Sequence, residues 1–154
     1  MIYILIGADG SGKTTLAQYL MDKYKASYIH ATYNKDMDVY KHHANIRDFV
    51  IEESKWQMFI IDRLAPCEFV YGTIYRDGPA FDTIKFMQDF YEKVPFLIIY
   101  CKPEINKYGV DGREEMFENR TDEVNELYEE WLEKANLPYK VYDWVNDDWR
   151  NLID

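Results

Sequence analysis

Gly7-Ala8-Asp9-Gly10-Ser11-Gly12-Lys13-Thr14 keeps the spacing G-x-x-x-x-G-K-[ST] and lies between an apolar run and an amphipathic one. Each residue type answers a need of a bound polyphosphate. Glycines let the backbone curl until successive N–H groups converge on phosphate oxygens, and a helix starting near Gly12 adds the positive end of its dipole. Lys13 supplies a point charge to the β- and γ-phosphates, and the Thr14 hydroxyl is a ligand for Mg2+. Gly7, Gly10, Ser11, Gly12 and Thr15 complete the cradle. The pattern predicts a nucleoside triphosphate, read as ATP, with Mg2+. It leaves the reaction open, because kinases, GTPases, motors and regulators share it. A guanine-reading N-K-x-D does not occur in the expected place, since Asn34-Lys35-Asp36 lacks the spacer. The chain is short for a motor.

A second acid-bearing stretch follows. Met58-Phe59-Ile60-Ile61-Asp62-Arg63 is an apolar strand ending in an acid and an arginine. Ligands of open α/β sheets bind at the carboxyl ends of the strands, so such an acid stands beside the phosphate loop. Asp62 is expected to hold Mg2+, directly or through water, and Arg63 to fork onto a second phosphate group. The competing reading is a helix-capping Asp with a structural ion pair, because Pro66 marks a helix start.

These residues need a frame. Ile2–Ile6, Met58–Ile61 and Phe96–Tyr100 are continuous apolar runs of strand length, as expected for parallel strands covered on both faces. Stretches 26–32 and 139–142 are further strand candidates. Leu16, Leu20 and Tyr24 form one helical stripe. Ile84, Met87, Tyr91 and Val94 form another, with Pro79 as its starter. A third runs through Phe117, Val124, Leu127 or Tyr128, Trp131 and Ala135, ending before Pro138. Its other face, with Glu123, Glu126, Glu129, Glu130 and Glu133, reads as solvated surface. Alternating strands and helices predict a single α/β domain over 1–154, with a five-stranded, mostly parallel sheet flanked by helices.

Composition narrows the partners. The chain has 154 residues, 47% hydrophobic and 17% aromatic, which excludes disorder. A net charge of −10 opposes nucleic-acid or anionic-membrane binding, and no apolar run is long enough to span a bilayer. With no signal-peptide pattern and two isolated cysteines, Cys67 and Cys101, the expected setting is cytoplasmic. Adjacent His42 and His43 make a poor metal pair and read as surface residues. The aromatic content permits a homodimer without locating an interface.

Gly7 to Thr15 together with Asp62-Arg63 resembles thymidylate kinase and its relatives among the nucleoside monophosphate kinases. The phosphate loop of that family reads G-x-[DE]-G-x-G-K-[ST]-T, and its third strand ends in D-R-Y followed by A-Y-Q. Asp62-Arg63-Leu64 and Val70-Tyr71-Gly72 fall at the matching offsets. The resemblance implies a three-layer P-loop kinase fold. It also implies transfer of the γ-phosphoryl of ATP to dTMP or a related deoxynucleoside monophosphate. Asp9 would accept from the 3′-hydroxyl of the acceptor, Arg63 would hold the acceptor phosphate, and Tyr71 would lie near its sugar or base. After Tyr142-Asp143 the chain would pass the adenine of the donor.

The departures are specific. Leu64 replaces the usual Tyr, and Gly72 replaces the Gln that faces the base. The family's arginine pattern after the second strand is missing, which leaves Tyr33, Asn34, Lys35 and Arg47 as the nearby substrate-binding candidates. The chain is shorter than typical members, a compactness that resembles phage-encoded deoxynucleotide kinases.

Between the fourth strand and the last helix, stretch 102–120 is polar and contains Gly109 and Gly112, as a mobile loop would. By resemblance it is a short lid whose Arg113 or Arg120 neutralises charge developing in transfer, a role worth 10³–10⁵ in rate. The acceptor class follows from what is missing after the second strand. A nucleoside 5′-hydroxyl must lose a proton, and Tyr28 to Tyr33 contains no acid to take it, whereas a monophosphate oxygen attacks without such help. The rivals are a deoxynucleoside kinase, a 5′-polynucleotide kinase and a regulator that binds ATP without transfer.

Overall fold

The computed structural model describes residues 1–104 and 120–153. Five strands, β1 (Ile2–Ile6), β2 (Ser27–His30), β3 (Phe59–Asp62), β4 (Phe96–Cys101) and β5 (Tyr139–Tyr142), form one sheet in the order β2-β3-β1-β4-β5. Every pairing in it is parallel. Among the described residues the helices are α1 (Lys13–Tyr24), α2 (Val39–Glu53), α3 (Ala65–Tyr75), α4 (Thr83–Lys93) and α5 (Thr121–Ala135), and a 3-10 turn covers Trp149–Asn151.

Central β1 is buried along its whole length, and the pleat divides its side chains between two cores. Ile2, Ile4 and Ile6 pack into the layer formed by α2 to α5. Tyr3 and Leu5 pack against Leu16 and Leu20 of α1, with Leu152 of the C-terminal turn closing that side. This two-sided burial is why β1, β3 and β4 read as unbroken apolar runs. Two buried hydrogen bonds tie α5 to its neighbours: Trp131 Nε1 donates to Thr83 Oγ1 at 3.0 Å, and the Tyr128 hydroxyl to Cys67 Sγ at 3.0 Å. The result is the three-layer α/β fold expected from the strand and helix pattern.

Several local expectations change. Pro79 does not start α4; Asp82 does, its carboxylate accepting from the Lys85 N–H at 3.0 Å. Helix α2 was not foreseen: Val39, Ile46 and Val50 lie at helical spacing on its buried side, but His43 interrupts the stripe that they form. Its N-cap, Asp38, accepts from the Lys41 N–H at 3.0 Å. His43 is correspondingly not a surface residue but 5% exposed, wedged against Phe81 and Phe86. The glutamate face of α5 is solvated except that Glu129 accepts from Tyr100 and Lys102. Phe117 and most of the expected lid lie outside the described residues. Both cysteines are free and buried. Among the described residues, no helix is long and apolar enough to cross a membrane.

Candidate active site

The loop after β1 leaves the sheet between β3 and β4, the point where the strand order diverges to either side. Gly7, Gly10 and Gly12 all take positive φ, which lets the main chain wrap around the Lys13 ammonium. Lys13 is 6% exposed and donates to the Gly7 carbonyl at 2.8 Å, so a loop carbonyl occupies the charge that a phosphate oxygen would claim. Gly7 has a second reason to be glycine: a Cβ there would stand 2.5 Å from the Cys101 carbonyl oxygen of β4. Thr14 and Thr15 are exposed on the first turn of α1.

Asp62 ends β3 on the same side of the sheet as α1, and it is 2% exposed. Its Oδ2 accepts from the Tyr28 hydroxyl at 2.6 Å, while its Oδ1 is buried with no partner. An acceptor-only carboxylate oxygen without a donor is costly unless a cation or water meets it. Asp62 therefore fits a metal-holding role beside Thr14, with the remaining ligands left to phosphate and water. No cluster of three His, Cys, Asp or Glu able to hold a metal exists among the described residues. A ligand set of few protein groups completed by phosphates is the usual pattern for Mg2+.

Arg63 carries the site's backbone strain. Its φ of 70° is left-handed, rare for a side-chain-bearing residue, and its N–H donates to the Leu5 carbonyl at 3.0 Å. The turn aims its guanidinium at Asp9, which it grips by an ion pair, and places it 5.7 Å from the Tyr71 ring. Asp9, Lys13, Thr14, Thr15, Asp62 and Arg63 line one cavity of about 270 Å³ with Gly10, Ser11 and Gly12. A second cavity of about 470 Å³ opens beside it, lined by Tyr33, Arg63, Tyr71, Tyr75 and Arg76, among others. A third, about 640 Å³, lies outside α1, where Trp144 packs on Gly12 and Tyr19 stacks on Trp149 at 5.1 Å.

Among the described residues, only Arg63 and His30 line both the cavity at the loop and the second cavity. His30 was not among the expected site residues. The available signal was register: His30 pairs with Asp62 across β2 and β3, and Tyr28 lies two residues earlier on the same face. Burial, against the pull of Asp62 and Asp9 and with help from Arg63 and Lys13, lowers the pKa of the His30 imidazole below its ordinary value.

The remaining expected residues divide. Tyr33 and Tyr71 line the second cavity. Arg47 lines none of the three: it turns along α2 to Asp48 at 2.9 Å and over the Phe86 ring at 4.8 Å. Arg120 stands at the start of α5, 3.8 Å from Glu123 and with its guanidinium 5.4 Å from the ring of Tyr75, a wall of the second cavity. Arg113 lies outside the described residues. The third cavity also contains residues not foreseen, among them Trp144 and Trp149, although the stretch after Tyr142 was expected near a nucleotide.

No protein-family model matches the chain, and no curated protein matches it. Solved structures do. YorR of Bacillus subtilis, in complex with phosphorylated GDP, aligns over 99% of this chain and 91% of its own at 21% identity, with a TM-score of 0.79. Deoxyadenosine kinase of M. mycoides with bound dATP aligns over 97% and 94% at 18% identity and a TM-score of 0.57. Thymidylate kinase of Candida albicans aligns over 98% and 86% at 10% identity and a TM-score of 0.51. At these identities the likeness is one of fold: this chain has the P-loop kinase fold, and two of these three neighbours are named as kinases.

Proposed function

We propose that the protein is an ATP- and Mg2+-dependent phosphotransferase whose acceptor is a deoxynucleoside monophosphate, yielding a diphosphate and ADP. The observation carrying this reading is the junction of the two cavities. It presents a cation, Arg63, and no free carboxylate to take a proton, since the nearby Asp9 is engaged by Arg63. That arrangement suits an anionic acceptor which arrives needing charge neutralisation rather than deprotonation.

In this reading the amides from Gly7 to Thr15 and the Lys13 ammonium hold the donor phosphates, and Lys13 exchanges the Gly7 carbonyl for a phosphate oxygen. Thr14 and Asp62 hold Mg2+, which when bound neutralises charge on the β- and γ-phosphates. Tyr28 keeps the Asp62 carboxylate turned toward the cradle. Arg63 releases or shares Asp9 to take the acceptor phosphate, freeing Asp9 for the sugar hydroxyl. The donor base lies in the cavity walled by Tyr19, Trp144 and Trp149. Arg120, beside Tyr75, is placed to reach charge that develops between the two phosphates.

One observation favours a second reading. His30 stands where a nucleoside kinase needs a proton acceptor, so transfer to a 5′-hydroxyl has a candidate group. ADP release measured with dTMP, dUMP, dGMP, dAMP and dCMP, and with the matching nucleosides, separates the two. Turnover of at least one monophosphate in excess of its nucleoside is the expected result. Turnover of nucleosides alone would transfer the assignment to the second reading, and ATP binding without acceptor-dependent ADP release would make the protein a regulator.

A further inference from the structure

The base end of the second cavity is built differently from the pattern that the phosphate loop resembles. Gly72 stands where that family places a glutamine. A Cβ at Gly72 would lie 2.9 Å from Pro79 Cα and 3.0 Å from the Gly78 carbonyl oxygen, so the segment after α3 occupies the space a side chain would fill. The Gly72 carbonyl holds that segment by accepting from the N–H groups of Arg76 at 3.0 Å and Gly78 at 3.1 Å. Folded back in this way, the segment delivers two donors to Glu68, one helical turn before Gly72. Arg76 Nη2 reaches Glu68 Oε1 at 2.5 Å, and the Ala80 N–H reaches Oε2 at 2.7 Å.

Glu68 is 5% exposed and still lines the cavity. An ionised carboxylate only accepts, and each oxygen has two lone-pair sites, so one per oxygen is left for a ligand. Arg76, its guanidinium 4.5 Å from the Tyr33 ring, lines the same wall and offers further N–H donors. His43 lines it as well, and its Nδ1 is buried without a partner. The wall thus sets carboxylate acceptors beside guanidinium donors, between tyrosine rings that provide a stacking surface.

Base edges answer this wall unequally. Cytosine, adenine and guanine each place an amino donor next to a ring-nitrogen or carbonyl acceptor. Thymine and uracil place one N–H between two carbonyls, so a carboxylate meeting that N–H forces an oxygen against an oxygen. We propose that the acceptor base carries an exocyclic amino group, and that Glu68, fixed by Arg76 and the Ala80 amide, accepts from that group and turns thymine and uracil away. This deepens the monophosphate-kinase reading and rests on it for the identity of the site as the acceptor site.

The test pairs acceptors by the amino group: dCMP against dUMP and dAMP against dIMP, where a carbonyl replaces it and the adjacent ring nitrogen gains a hydrogen, and dGMP against dIMP, which simply lacks it, with dTMP alongside. The readouts are kcat/KM from ADP release and calorimetric binding of the same monophosphates and their nucleosides. In at least one pair the amino member is preferred by about 10- to 100-fold, and dTMP ranks with dUMP. Glu68→Gln, whose amide both donates and accepts, shrinks that ratio to below about 3-fold. The ratio is internal to each protein, so a loss of folded fraction does not move it, and the wild-type comparison stands without any variant. If dTMP or dUMP matches or exceeds every amino-bearing acceptor, the base inference is overturned and the kinase reading survives. If no monophosphate turns over yet binding or nucleoside turnover is amino-selective, the monophosphate reading falls and the base inference stands. Absence of both turnover and selective binding overturns both.

Discussion

The cavity at the phosphate loop and the one proposed for the acceptor sit side by side, share Arg63 and His30, and are made in opposite ways. The first comes largely from one contiguous stretch whose glycines permit a curve, and in the proposed reading its backbone N–H groups do most of the binding. The second cavity draws on β2, α2, the turn after β3 and α3, and side chains such as Glu68, Arg76 and Tyr71 form its wall. Backbone recognition suits phosphates, which differ little between nucleotides. Side-chain recognition across elements is what allows one base to be told from another, and it is the part a small number of substitutions can redirect.

The contrast can be broken most sharply at Lys13. Lys13→Ala removes the charge at the centre of the cradle and is expected to lower kcat by about 10³-fold or more in steady-state ADP release, with the fold retained by circular dichroism. At the shared boundary, Arg63→Gly relieves a left-handed backbone while deleting a guanidinium. Acceptor kcat/KM should fall about 10²-fold, with KM for ATP much less affected and Tm little changed.

His43 tests the acceptor wall through stability rather than rate. Burial first, then the nearby charges of His42 and Arg76, lowers its pKa to about 4. The unfolded chain takes up this proton near pH 6.5, so the stability His43 contributes is present above that pH and is lost as pH falls toward 4. Between pH 7 and pH 5 the loss is about 2 kcal/mol, seen as a Tm decrease of several degrees that His43→Phe largely removes. The smallest effect is expected at Tyr28. Tyr28→Phe leaves Asp62 less well oriented and should raise the Mg2+ concentration for half-maximal activity by about 10-fold.

How much of this could be read without coordinates differs by residue. Gly7 to Thr15 were legible because their spacing is itself the geometry. The placement of Asp62 and Arg63 beside the loop was legible because they end an apolar strand at the carboxyl edge of the sheet. His30 was not, since its place depends on β2 pairing with β3 at the register His30–Asp62, and many registers suit an apolar strand. Arg47 looked equivalent to Tyr33 in a linear reading, but helix α2 turns it toward Asp48 and Phe86. His43 looked exposed because a single polar residue on a weakly apolar helix has no periodic signature. Gly72 was legible as a departure, and its consequence was not: the missing side chain matters through the Pro79 segment that fills its space.

The amino-acid order alone determined the nucleotide-binding loop, the acid and arginine facing it and the α/β class, because each rests on short-range spacing or on burial that leaves an apolar imprint. The tertiary structure decided which titratable groups meet where the two cavities join and which form the wall of the second. Those contacts join residues such as His30 with Asp62 and Glu68 with Ala80. Their distances are set by strand register and chain reversal, and neither leaves a periodic mark in the sequence.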